Sequence, residues 1–222
     1  MKRSLSITLM LFVFCLAAHA QTEADPYPDY LEETFMDMDF EGNLASPAVP
    51  DNLKKSVSDY VKKNAEEFQR SLPRQVSGSV KVELTRKGEV ILVTYPSEEL
   101  FNPNDTLLSR YADRSLQALL PLMKDPYMYK VVYAVSCDDT GTDSYRYALT
   151  DARMNSIYDW LLDKIDEGRI PEEIIIIPDT WGASRPLPGT SQPSRENRRK
   201  NRRVEFYFIP GPRLIETAGK SN

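Results

Sequence analysis

Residues 135–153 read Val135-Ser136-Cys137-Asp138-Asp139-Thr140-Gly141-Thr142-Asp143-Ser144-Tyr145-Arg146-Tyr147-Ala148-Leu149-Thr150-Asp151-Ala152-Arg153. The run from Val131 to Ser136 has the length and β-branched content of a strand. It stops at an aspartate. Fifteen positions after that aspartate comes Arg153, and beyond it Met154, Ile157, Leu161 and Ile165 recur at helical spacing, predicting a helix over 150–166 with those residues inward. Thr150 is placed to cap this helix, which puts Arg153 in a first turn whose free N–H groups favour an anion. A strand end and a helix start then hold one carboxylate and one guanidinium at the same edge. Such a pair suits a ligand that carries both charges and points to binding, not catalysis; the alternative is an internal Asp138–Arg153 ion pair with no ligand.

Outward from this stretch the pattern is that of an α/β domain. Val80 to Leu84 and Val90 to Tyr95 are expected as strands around a turn at Lys87-Gly88, and residues 105–124 as a helix. Ile174 to Ile177 is expected as a short buried strand, the Gly/Pro/Ser-rich stretch from Trp181 to Ser194 as a loop, and Val204 to Ile209 as the last strand. Strands alternating with helices favour a sheet covered by helices on one side.

The N-terminus has Lys2 and Arg3, an apolar stretch from Ile7 to Ala17, then Ala18-His19-Ala20, the features of a cleaved secretory signal peptide. The apolar core is shorter than the roughly 20 residues a spanning helix needs. The mature chain is expected to begin at Gln21 as an exported protein without a transmembrane segment. The only histidine, His19, and one of the two cysteines, Cys15, leave with that peptide. No Ser-His-Asp or Cys-His site can then be built, no histidine remains to ligate zinc, and Cys137 has no internal disulfide partner. Residues 1–20 hold two cations and no acid, so the net charge moves from −5 to −7, which opposes a general nucleic-acid binder.

From Gln21 to Leu53 there are nine acids and no lysine or arginine, with prolines at 26, 28, 47 and 50. Residues 21–51 are therefore expected as an acidic, flexible segment. Residues 52–77 comprise an amphipathic helix and linker, with Leu53, Val57, Tyr60, Val61, Phe68 and Leu72 on one stripe that must dock on the following domain or on another chain. The domain itself occupies 78–210, and 211–222 is left as a C-terminal tail.

Asp138, ten residues, Leu149-Thr150, two residues and Arg153 resemble the signature of the OmpA C-terminal-like peptidoglycan-binding domains, which is Thr-Asp, ten residues, Leu-Ser, two residues, Arg-Ala. Further landmarks follow in order: Leu100-Phe101-Asn102, Gly141, Tyr145, Gly182, Pro186 and Asn201-Arg202-Arg203-Val204-Glu205. The resemblance spans roughly residues 78–210. It implies an α+β sandwich of β-α-β-α-β order, with helices packed on one face of a mixed sheet and an amphipathic helix before it. It also implies a non-catalytic cell-envelope protein, periplasmic or outer-membrane associated, needing no cofactor or metal. Its partner would be the diaminopimelate part of the peptidoglycan stem peptide, an α-amino acid group with ammonium and carboxylate close together, held by Asp138 and Arg153.

Thr150, Arg146, Asn201 and Arg202 join Asp138 and Arg153 as expected ligand-binding residues. Two departures stand out. Val135-Ser136-Cys137 replaces the family's glycine-containing run before the aspartate, and Arg146 stands where an asparagine is usual. On one expectation Arg146 adds a cation and biases the site toward anions; on the other it points to solvent or pairs with Asp139 or Asp143. Cys137 is expected to be a buried inert thiol, and the cations Arg195, Arg198, Arg199 and Lys200 a solvated face. The competing function is an envelope interaction or scaffold protein that keeps the fold without binding peptidoglycan and joins its partners through residues 21–72. A hydrolase using Asp138 and Asp139 is a distant third, because neighbours on a strand point apart.

Overall fold

In the computed structural model, residues 26–28, 30 and 38–220 are described. The expected signal peptide and the start of the acidic segment lie outside these residues. Strands β1 (Lys81–Thr85), β2 (Val90–Pro96), β3 (Tyr129–Ser136), β4 (Ile176–Gly182) and β5 (Arg203–Pro210) build one sheet in the order β1-β2-β5-β3-β4. The β1–β2, β2–β5 and β5–β3 pairs are antiparallel and β3–β4 is parallel, so the sheet is mixed. The last strand in sequence takes the central position.

All eight residues of β3 and all eight of β5 are buried, as expected for strands covered on both faces. Side chains alternate. Tyr129, Val131, Tyr133 and Val135 join Val204, Phe206 and Phe208 in the main core, whereas Val132 and Ala134 join Tyr207 and Ile209 on the other side. The main core is closed by the helices α2 (Lys54–Ser71), α4 (Ala112–Gln117), α5 (Asp143–Asp166) and α7 (Pro212–Lys220). The architecture is α+β with the larger helices on one face. The stripe of α2, namely Val57, Val61, Ala65 and Phe68, is buried in this chain's own core.

Four expectations need correction. The acidic segment does not stay free beyond residue 38: a short helix, α1 (Phe40–Ala45), docks on the second face of the sheet. Its Phe40 ring meets Trp181 edge-on at 4.6 Å and Tyr207 at 5.7 Å, and Arg86 donates to the carbonyls of Leu44, Ala45 and Pro47. The acids are tolerated because cations await them, as in the Glu41–Arg185 pair at 2.5 Å. The expected C-terminal tail is largely the amphipathic α7, which buries Leu214 and Ala218 and packs on α2. The helix expected over 105–124 is broken into a loop, α4 and a 3-10 turn at Leu120–Met123, with Pro121 in that turn.

The fourth correction bears on the site. Helix α5 begins at Asp143, and its cap is Thr142, whose Oγ1 accepts from the Tyr145 N–H at 3.2 Å. Thr150 lies two turns inside the helix and is fully buried. Its hydroxyl reaches the carbonyls of Arg146 and Tyr147 and accepts from Thr180 Oγ1 at 2.7 Å and from the Gly182 N–H at 3.2 Å, fastening α5 to β4.

Candidate functional site

Because α5 starts at Asp143, Arg153 is not beside a helix N-terminus, and something other than the helix dipole must position it. The loop after the short helix α3 (Ser97–Leu100) does so. Arg153 Nε donates to the Asp105 carbonyl at 2.8 Å and Nη2 to the Asn102 carbonyl at 3.3 Å, while the guanidinium carbon lies 4.8 Å from the Phe101 ring centroid. Phe101 is itself buried, and the loop turns tightly through Asn104 at φ 57°, a left-handed conformation that asparagine tolerates. Arg153 is only 4 % exposed and makes no ion pair among the described residues, nor does its Nη1 donate a hydrogen bond among them. Burial lowers its pKa from the ordinary value, but a guanidinium keeps its charge in proteins. A buried cation held by two carbonyls and a ring face, with no carboxylate at ion-pair distance among the described residues, attracts an anion.

Asp138 follows the end of β3. Its Oδ2 accepts from Arg202 Nη1 at 2.6 Å and its Oδ1 from the Thr140 N–H at 2.9 Å. Burial pushes its pKa upward, but the Arg202 and Thr140 hydrogen bonds outweigh that and hold it below the ordinary carboxylate range. The carboxylate is thus ionised at neutral pH, and with about four lone-pair positions it still has acceptor capacity for an ammonium. Asp138 is paired with Arg202, not with Arg153, which disposes of the internal Asp138–Arg153 ion pair.

Asp138 and Arg153 line one cavity of about 540 Å³, within the range of small-ligand sites. Tyr145, Leu149 and Arg153, at successive i, i+4 positions, present one face of α5 to it. Asn102, Pro103 and Asn104 form another wall, and Arg195, Arg199 and Arg202 contribute from helix α6 (Arg195–Asn201) and its C-cap. Gly141 shapes the rim: at φ +88° it is left-handed, and a Cβ there would lie 2.8 Å from the Tyr145 ring.

Of the residues expected from sequence, Asp138, Arg153 and Arg202 meet at this cavity, whereas Arg146, Thr150 and Asn201 are not among its lining residues. Arg146 is held by its own loop, donating to the carbonyls of Asp139 and Gly141 and pairing with Asp143. Asn201 Oδ1 accepts from the Leu187 N–H and Thr190 Oγ1, both at 2.9 Å, and so ties down the loop before α6. It borders a separate cavity of about 160 Å³, beside which Arg198 pairs with Asp139 at 2.7 Å. Cys137 is buried, and burial together with Asp138 pushes its thiol up to about 11, which keeps it protonated at neutral pH.

Sequence reasoning missed Tyr145, Arg195 and Arg199 as cavity residues. Arg195, Arg199 and Arg202 recur at i, i+4 and i+7, the spacing of one helix face, which was the available signal.

A MotB-like protein of Desulfovibrio vulgaris superposes with a TM-score of 0.58 at 22% identity, the match covering 72% of this chain and 94% of that one. The domain has the OmpA-like fold. Other solved structures similar to it include the periplasmic domain of Helicobacter pylori MotB, with a TM-score of 0.49 and 20% identity over 68% of this chain and 90% of that one. The OmpA-like domain of FopA1 from Francisella tularensis has a TM-score of 0.43 and 17% identity over 60% and 82%. No protein-family model and no curated protein matches the sequence. Asp138 and Arg153 thus open onto one cavity from a strand end and from the interior of a long helix. No described helix is long and apolar enough to cross a membrane.

Proposed function

We propose that this OmpA-like domain is a non-catalytic cell-envelope module, periplasmic or outer-membrane associated after signal-peptide cleavage. It binds peptidoglycan through the zwitterionic α-amino acid end of diaminopimelate in the stem peptide. The ligand ammonium goes to Asp138 and the carboxylate to Arg153. The observation that carries this reading is the buried Arg153, which has no ion pair among the described residues and opens onto the same cavity as the ionised Asp138. The neighbouring carboxylates speak against hydrolysis, since Asp138 and Asp139 are engaged by different arginines and line different cavities.

Co-sedimentation of the exported chain with purified sacculi tests it. Asp138→Asn and Arg153→Leu are each expected to lose tenfold to a hundredfold in affinity, since a charge-assisted hydrogen bond contributes about 1.5–3 kcal/mol. Arg153 also braces the loop after α3, so Arg153→Lys belongs beside it. That variant keeps the charge without the fork and should bind between wild type and Arg153→Leu, with an unchanged circular dichroism spectrum. Wild-type co-sedimentation by all three variants would overturn the assignment.

A further inference from the structure

The charges lining the 540 Å³ cavity do not cancel. Four guanidiniums, those of Arg153, Arg195, Arg199 and Arg202, face two carboxylates, those of Asp138 and Glu98. Arg202 pairs with Asp138 at 2.6 Å, and Arg199 pairs with Glu98 at 2.7 Å. Arg153 and Arg195 are left with no ion pair among the described residues, one buried within α5 and the other exposed at the start of α6. A zwitterionic group adds an ammonium and a carboxylate together, so it leaves the surplus of two positive charges as it found it. The lining is complementary to a ligand with more carboxylates than ammoniums.

Other cations near α6 do not supply this surplus. Arg198 is taken by Asp139 and Lys200 by Glu196, and Arg146 is held by its own loop and Asp143. Arg146 thus follows the second of its two sequence readings, pairing with Asp143, and the extra positive charge at the cavity is delivered by Arg195. Along α6 and its cap, Arg195 and Arg202 are separated by seven residues, a rise of about 10 Å at about 1.5 Å per residue. The zwitterionic end of diaminopimelate is carried on its side chain, and that side chain together with the γ-linked glutamate before it covers a comparable distance. A second carboxylate carried further along the same peptide therefore suits Arg195.

We infer that the cavity selects an acidic peptide with two separate carboxylates, one belonging to a zwitterionic end at Asp138 and Arg153 and the other bound by Arg195. Arg195 is then the residue that tells a free acid from its amide at the second position. This rests on the stem-peptide reading above and specifies which chemical form of that peptide is bound.

Titration calorimetry on the exported chain tests it with two soluble diaminopimelate stem tripeptides, one with the glutamate α-carboxylate free and one with that group as the primary amide. Wild type should bind the free acid about fivefold more tightly, the scale of a partly exposed ion pair. Raising the salt should narrow the gap. Arg195→Gln, at an exposed position without an ion pair among the described residues, should keep its fold and bind both peptides equally, at the wild-type affinity for the amide. Equal binding of both peptides by wild type, or a preference that survives in Arg195→Gln, would overturn the inference while leaving the stem-peptide reading intact. Failure of wild type to bind either peptide would overturn both.

Discussion

The two faces of the central sheet are made by the same strands and closed in different ways. One face is mainly aliphatic and aromatic: Tyr133 stacks on Phe206 at 5.3 Å, and Phe206 meets Tyr95 edge-on at 5.9 Å, under the larger helices. The other carries buried charge. Arg203 and Glu205 pair at 3.0 Å, and Lys130 is fully buried with no hydrogen bond at Nζ among the described residues. Over that second face lies the short α1, anchored by Phe40 on Trp181 and Tyr207 with Arg185 stacked 4.8 Å from both the Phe40 and Trp181 rings. Burial by itself does not tell which face supplies stability. Apolar burial stabilises in proportion to area, whereas a buried charge first has to recover its desolvation cost.

The difference should be largest for truncations on the helix-covered face. Phe206→Ala removes a ring packed between two aromatic neighbours and should lower the unfolding free energy by about 3–5 kcal/mol, read as the shift of a urea midpoint. A loss no greater than 1 kcal/mol would mean that the apolar face is not the stabilising one.

Lys130→Met should have the opposite sign. Burial, with Arg86 nearby, lowers the Lys130 pKa from 10.5 to about 8. Between those values the unfolded chain holds a proton that the folded chain has released, so stability rises with pH across that window, and below about pH 8 the folded state bears the whole cost of the buried charge. The methionine variant should be more stable at pH 7 by about 1–3 kcal/mol and should lose that rise. Parallel stability curves for the two proteins from pH 7 to 10 would show that Lys130 is compensated.

Phe40→Ala should be the mildest, at about 1 kcal/mol, because it removes aromatic contacts from a half-covered surface. Its signature is local: limited proteolysis should cut the variant between α1 and α2 while the wild type resists there. Equal cleavage of both would mean that Arg86 and Arg185, not the ring, hold the segment down.

The helix-covered face was largely legible in the sequence because period-two and period-3.6 patterns record burial directly. The strands at Val90, Val131 and Val204 and the helices bearing Val57 and Ile157 follow from such patterns, with boundaries shifted by a few residues. Helix α5 started seven residues earlier than expected because Thr142 and Thr150 are both plausible caps, and local sequence does not say which backbone N–H each will meet. The docking of α1 was hidden for a related reason. An acidic, proline-bearing segment with few apolar residues looks unable to order itself, and it orders here only because the sheet offers an aromatic box and two arginines.

The sequence by itself determined a sheet covered by helices on one side, the strand that ends just before Asp138, and the reservation of one aspartate and one arginine for a shared edge. These follow from periodicity and spacing, which are properties of neighbours along the chain. Only the tertiary structure decided which charges answer one another. It paired Asp138 with Arg202 across sixty-four positions, rested Arg153 on carbonyls forty-eight and fifty-one positions away, and left Arg195 at the cavity in place of Arg146. Electrostatic partnership depends on distance in space and on the water removed around each group, and neither is written in the order of the residues.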